Sequence, residues 1–151
     1  MSGSDEKMWR DCNCLAIRQA ARHVTQFYDQ LLAPAGLRAT QYAILGRLGR
    51  DGPMTINELA AALVMDRTTL GRNLLPLERD NLVEVGPSQS DRRRREVRLS
   101  PAGEERLIAA RQGWAEAQQR FDEVYGAERA AALRDLLREV VASDFEGLPQ
   151  D

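Results

Sequence analysis

The chain has 151 residues, 43% hydrophobic and 29% charged, with a formal net charge of −2. That length supports one domain with a core, and the balanced composition is that of a soluble globular protein rather than a disordered one. No apolar run approaches the roughly 20 residues of a membrane span. The opening seven residues are polar, unlike a secretory signal, so a cytoplasmic protein with no membrane partner is expected. Cys12 and Cys14 stand one residue apart, which excludes a disulfide framework.

Between about Met8 and Leu32 the residues Ile17, Ala20, Ala21, Val24, Phe27, Tyr28 and Leu31 recur at helical spacing, and Pro34 and Gly36 end the run. A second helix starts near Thr40, with Tyr42, Leu45 and Leu48 on one face, and stops at Asp51-Gly52-Pro53. Thr55 then caps a short helix, and Glu58 three residues later completes a capping box. Val64-Met65 connects it tightly to a helix from about Arg67 to Asn81, capped by Asp66, with Leu70, Leu74 and Leu77 inside. Pro76 falls within that helix, where proline costs about 3 kcal/mol, so its second half is expected to bend.

The period then changes. Val83-Glu84-Val85 and Glu96-Val97-Arg98-Leu99 alternate as strands do, across a polar loop beginning Gly86-Pro87-Ser88, and together predict a β-hairpin. Ser100 and Pro101 are a favoured cap and first helical residue, opening a long helix to about Tyr125. Another follows from about Ala127 to Phe145; the stripes are Leu107, Trp114 and Phe121, then Leu133, Leu136, Leu137, Val140 and Val141. The predicted fold is mainly α with a small β-hairpin wing.

Of the 21 basic residues only Lys7 is lysine, and five arginines cluster at Arg92, Arg93, Arg94, Arg95 and Arg98. Two short helices joined by a tight turn and followed by an arginine-bearing hairpin have the layout of a winged helix-turn-helix. On the second helix Thr68 and Thr69 suit phosphates, base edges or the thymine methyl, and Arg72 suits guanine. Arginines at the hairpin tip neutralise phosphates or enter the minor groove. Surface threonines mean little alone; their conjunction with the wing carries the reading. The stripes of the first and last two helices exceed what so small a head can cover, which predicts a homodimer. A two-fold dimer also spaces two heads along double-stranded DNA, as a palindromic operator requires.

With these residues in place the chain resembles the MarR family (multiple antibiotic resistance regulators) from about residue 10 to 145. The most specific element is Asp91-Arg92-Arg93 followed by Val97-Arg98-Leu99-Ser100-Pro101-Ala102-Gly103, similar to the family's D-x-R wing tip and L-[ST]-x-x-G exit. Leu77-Glu78-Arg79-Asp80-Asn81-Leu82-Val83 matches the lead into the wing. The resemblance implies a single domain over 1–151: a winged-helix DNA-binding region at about 38–100, and helical dimerisation regions at about 8–34 and 101–146. It makes Arg93 the wing arginine and Asp91 its orienting partner. It also places the opening of the recognition helix at Asp66 to Asn73, which adds Arg67 and Asn73 to the DNA-contact candidates. The implied function is a homodimeric regulator, usually a repressor, released by a small molecule or by oxidation.

Within the family, the first helix looks most like that of the organic hydroperoxide sensors (OhrR type), with Cys14, Tyr28 and Gln41-Tyr42 in corresponding places. A cysteine in the first turns of a helix feels the positive end of the dipole, and Arg18 one turn on further favours thiolate. The thiolate would attack an organic peroxide to give a sulfenic acid. Arg18 stands where the sensors have a second tyrosine, and no distant cysteine resolves the sulfenate, although Cys12 of a partner chain is a candidate. The favoured reading makes Cys14 a buried small apolar residue beside the dimer seam, Cys12 incidental, and the signal a separate inducer, an aromatic acid by the chemistry of arginine, in a crevice with Arg18, Arg22, His23, Tyr28 and Tyr42 as lining candidates. Cys12, Cys14 and His23 do not build a metal site, and no cofactor is expected. A thiol peroxidase using Cys14 lacks a resolving partner and substrate pocket, so no enzyme is expected. A winged-helix module binding only protein would have no use for the five arginines.

Overall fold

The structure is a computed structural model, described here for residues 3–146; residues 1–2 and 147–151, the ends of the single-domain expectation, lie outside the described residues. The chain divides into two compact units, Met1–Trp114 and Ala115–Asp151. In order the elements are α1 (Gly3–Arg10), α2 (Asn13–Leu32), a 3₁₀ turn (Ala33–Ala35), α3 (Ala39–Asp51), β1 (Met54–Thr55), α4 (Ile56–Ala62), α5 (Arg67–Arg79), β2 (Val83–Pro87), β3 (Arg95–Leu99), α6 (Pro101–Tyr125) and α7 (Ala127–Ala142). Among the described residues no helix is long and apolar enough to cross a membrane.

The core of the first unit is rich in leucine: Leu32, Leu45 and Leu48 meet Leu59, Leu70 and Leu77, with Ile44 and Val97 equally buried. Leu45, Leu48, Leu59, Leu70 and Leu77 are inner positions read from the periodicity of the second to fourth predicted helices, whereas Leu32 and Ile44 were not among those stripes. The second unit buries Ala117 and Ala130, sets the Phe121 and Tyr125 rings at a tilt with centroids 5.5 Å apart, and lays Arg129 over the Tyr125 ring at 4.3 Å.

Four features differ from the sequence reading. The first predicted helix is two, because Cys12 adopts an extended conformation and its Sγ accepts the Leu15 N–H at 3.4 Å, capping α2. A third strand, β1, pairs with β3 through Met54 opposite Val97 and Thr55 opposite Glu96, giving the order β1-β3-β2; two residues are too few to show alternation. Helix α7 stops at Ala142 rather than Phe145, where Ser143 turns extended and its hydroxyl donates to the Glu139 carbonyl. Helix α5 runs through Pro76 and ends at Arg79, with Asp80 and Asn81 forming its C-terminal turn.

That turn belongs to a series. After the 3₁₀ turn, after α4 and after α5, the chain closes with the same pair of bonds: Leu37 N–H to Leu32 carbonyl with Gly36 to Ala33, Met65 to Ala60 with Val64 to Ala61, and Leu82 to Leu77 with Asn81 to Glu78. This is the Schellman closure, and its penultimate residue must be left-handed; φ is 71° at Gly36, 51° at Val64 and 56° at Asn81. Glycine adopts this without strain and asparagine tolerates it, whereas a β-branched valine is an outlier. Val64 is also 71% exposed, so its side chain gains little burial in return. Val64→Gly is therefore expected to stabilise the fold by about 1 kcal/mol, raising the thermal midpoint by about 2–6 °C. Circular dichroism melts check this; an unchanged or lower midpoint means the valine makes a compensating contribution.

Helix α6 approaches backbone closely at two glycines. A Cβ on Gly103 would lie far inside van der Waals contact with the Leu82 carbonyl oxygen, and one on Gly113 far inside contact with that of Leu31. At Gly103 the fit is locked by Ser100, whose Oγ accepts the Gly103 N–H at 2.9 Å and donates to the Asn81 carbonyl, while its own N–H donates to Leu82 at 3.1 Å.

Candidate nucleic-acid interface

Helix α5 begins at Asp66, whose carboxylate accepts the Thr69 N–H at 2.8 Å and the Thr69 hydroxyl at 2.6 Å. The Thr69 hydroxyl and then its N–H hold the Asp66 carboxyl below the ordinary carboxylate range. Because the folded value is lowered, the cap contributes stability above the unfolded value and loses it as pH falls through the folded one. With its proton engaged, the Thr69 hydroxyl offers only acceptor lone pairs outward. Asn73 donates its amide N–H to the Thr69 carbonyl at 2.8 Å, leaving its own oxygen as acceptor. Arg67, Thr68, Thr69 and Arg72 are exposed, so the first two turns of α5 carry two guanidinium donors beside short polar groups.

The wing is β2 and β3 with the loop between them. The strands pair from Val83 opposite Leu99 to Pro87 opposite Arg95. Above that pair the Ser88 N–H donates to the Arg94 carbonyl at 2.7 Å, and buried Ser88 anchors Ser90 through its hydroxyl. Asp91 organises the tip: its carbonyl accepts the Arg94 N–H, and its carboxylate accepts the Arg93 N–H at 3.0 Å. Asp91 thus bonds the main chain of Arg93.

The five wing arginines sort into two groups. Arg92, Arg93 and Arg95 are exposed. Arg94, exposed as well, reaches Glu58 of α4 at 2.9 Å, and Arg98 donates to the Pro87 carbonyl at 3.1 Å. Glu58 is also held by Thr55, whose N–H donates to the other carboxylate oxygen at 2.8 Å. The Thr55 contacts, with Arg94 adding less, keep the Glu58 carboxyl below the usual range. The capping box was legible in the sequence; the second use of Glu58 was not, because Arg94 lies 36 residues away.

A cleft of about 670 Å³ opens between α3, β3 and the first part of α6, lined by Tyr42, Arg50, Arg98, Glu104, Leu107 and Arg111 among others. Burial raises the pKa of the Tyr42 phenol and Arg111 opposes this, so the hydroxyl stays protonated as a donor. Tyr42 stacks on Trp114 with ring centroids 6.4 Å apart. Of the five ligand candidates read from sequence, Tyr42 lines this cleft. Arg18, Arg22 and His23 are exposed on α2, and half-buried Tyr28 packs against the core and edge-on to Phe27. Arg50 and Arg111 were missed because no local pattern pairs α3 with α6. Cys14 is exposed on the first turn of α2 and Cys12 is half-buried at its cap; both thiols are free.

Residues 35–94 match the family model described as "MarR family". The transcriptional activatory protein BadR of Rhodopseudomonas palustris (strain ATCC BAA-98 / CGA009) is 37% identical over 71 residues, which cover 45% of this chain and 41% of that protein. The match therefore spans less than half the length of that curated relative. Among solved structures, the transcriptional regulator MosR of M. tuberculosis is 30% identical, with 89% of this chain and 99% of that one covered and a TM-score of 0.74. A mutant MarR from E. coli complexed with operator DNA is 25% identical, with 83% and 90% covered and a TM-score of 0.74.

Proposed function

The chain belongs to the MarR family of winged-helix transcriptional regulators, and from this premise we propose that it binds a palindromic operator in double-stranded DNA as a homodimer and represses transcription until a small organic acid releases it. The observation that carries the reading is the outward set Arg92, Arg93 and Arg95 on a tip ordered by Asp91, together with the exposed face Arg67, Thr68, Thr69 and Arg72 of α5. Complexation of a family member with operator DNA supports it. In this reading residues 38–100 are the DNA-binding region. Residues 8–34 and 101–146 meet the second copy, for which Leu136, Leu137, Val140 and Val141, all exposed on α7, supply apolar surface.

The test is anisotropy of a labelled duplex from the chain's own promoter region across a salt series. Phosphate contacts release counterions, so affinity should fall steeply with salt; a flat dependence would instead favour a module that binds protein. A promoter–reporter assay with and without the protein separates repression from the activation recorded in the name of BadR.

For the inducer, Arg50, Arg98 and Arg111 beside Leu107, Ile108 and the Tyr42 phenol suit a small carboxylate with an apolar body. Aromatic acids are expected to change Trp114 emission, read in a Trp9→Phe background, and to lower DNA affinity over the same concentration range. Matching neutral amides should do neither. Equal responses to acids and amides would remove the arginines from the account.

The exposed thiol of Cys14 on the first turn of α2 supports a second reading, peroxide sensing. On that reading Cys14→Ser binds DNA normally and is no longer released by an organic hydroperoxide. Normal release of the variant ends it.

A further inference from the structure

Arg94, though exposed like its neighbours, reaches from the wing tip to α4. Its partner Glu58 is bound on both sides: one carboxylate oxygen accepts the Thr55 N–H at 2.8 Å and the other accepts the Arg94 Nη2 at 2.9 Å. Thr55 is itself paired in the sheet with Glu96, two residues beyond Arg94. The contacts therefore close a ring, from Thr55 through Glu58 to Arg94, along the chain to Glu96, and back across the sheet to Thr55. One arc of that ring is the N-terminal cap of α4, the first helix of the helix-turn-helix pair. Another is the outgoing limb of the wing tip, fixed again by the Ser88 N–H on the Arg94 carbonyl. Both side chains of the ion pair are about half exposed, 55% and 51%. Such a pair adds little to global stability, so its effect lies in where it holds the loop.

Resting on the DNA-binding reading above, we propose that Glu58 is a positioning residue for DNA: through Arg94 it sets the wing tip on the end of α4, so that Arg92, Arg93 and Arg95 face the duplex. The idea opposes simple charge counting. A carboxylate beside a phosphate-binding loop repels DNA, and its removal alone should tighten binding. The brace predicts the reverse.

The experiment uses Glu58→Gln, whose amide oxygen preserves the capping box, with Arg94→Gln and the double variant. Each is titrated in the full chain against a fluorescein-labelled duplex from the chain's own promoter, over a salt series. Glu58→Gln is expected to bind about two- to fivefold more weakly, an effect the size of a lost exposed ion pair. The slope of log Kd against log salt should be unchanged, because no phosphate contact is lost. Arg94→Gln should match it, the double variant should be no weaker than either single, and amide hydrogen exchange at Ser88 and Arg94 should quicken. Equal or tighter binding by Glu58→Gln overturns the proposal. So does a slope reduced by about 0.9 per lost contact in Arg94→Gln, which would make Arg94 a direct phosphate ligand. A wild-type protein that binds no duplex overturns the DNA-binding reading and the brace with it; wild-type binding that Glu58→Gln leaves intact overturns the brace alone.

Discussion

Gly103→Ala is expected to lose about 3 kcal/mol or more of stability. The added carbon has nowhere to go, because the atom it meets is the backbone oxygen of Leu82. That oxygen also accepts the Ser100 N–H, so moving it breaks a hydrogen bond and leaves partners unpaired, at about 1–3 kcal/mol. Forcing α6 outward adds overpacking strain of about 1–3 kcal/mol. A matched control lies on α5, where a Cβ on Gly71 would meet nothing within 4 Å. There the same change in a helix interior should be stabilising, by about 0.5–1 kcal/mol. Urea unfolding of both variants tests the pair. Similar midpoints for the two would mean that the close approach at Gly103 relaxes without penalty.

Arg93→Ala is expected to weaken operator binding about tenfold to a hundredfold, the range for one well-placed arginine contact, with unfolding and dimer mass unchanged. The guanidinium is exposed and its backbone is held by Asp91 whatever the side chain, so truncation removes a contact without loosening the loop. A phosphate contact should also flatten the salt dependence by about 0.9 for each one lost. A drop in affinity with an unchanged slope would point to base-edge contact instead. Unchanged affinity would remove Arg93 from the interface.

What could be read from the sequence was whatever local chemistry decides. Asp66 and Thr69, Thr55 and Glu58, and Ser100 with Pro101 are neighbours whose side chains satisfy adjacent backbone groups, and each marks a helix start where the structure has one. The hairpin was legible from alternation in Val83 to Val85 and Glu96 to Leu99. The break at Cys12 was not, because cysteine is an uncommon cap and the apolar period runs straight through it. The reach of Arg94 to α4 was equally hidden: in a run of four arginines nothing local distinguishes the one that has a carboxylate waiting on another helix. The cleft residues were missed for a related reason. Arg18, Arg22 and Tyr42 all follow helical spacing, yet only a tertiary arrangement decides which helix faces turn toward a cavity.

The clamp of Leu82 between Ser100 and Gly103 also has a mechanical meaning. A hinge needs a residue free to absorb rotation, and the root of the wing is tied instead: the incoming limb, the outgoing limb and the first turn of α6 meet at the Asn81 and Leu82 carbonyls and the Ser100 hydroxyl. The wing and the start of α6 therefore behave as a single lever. A tilt of a few degrees at the helix reaches the tip as a swing proportional to the length of the hairpin, with no slack lost at the joint.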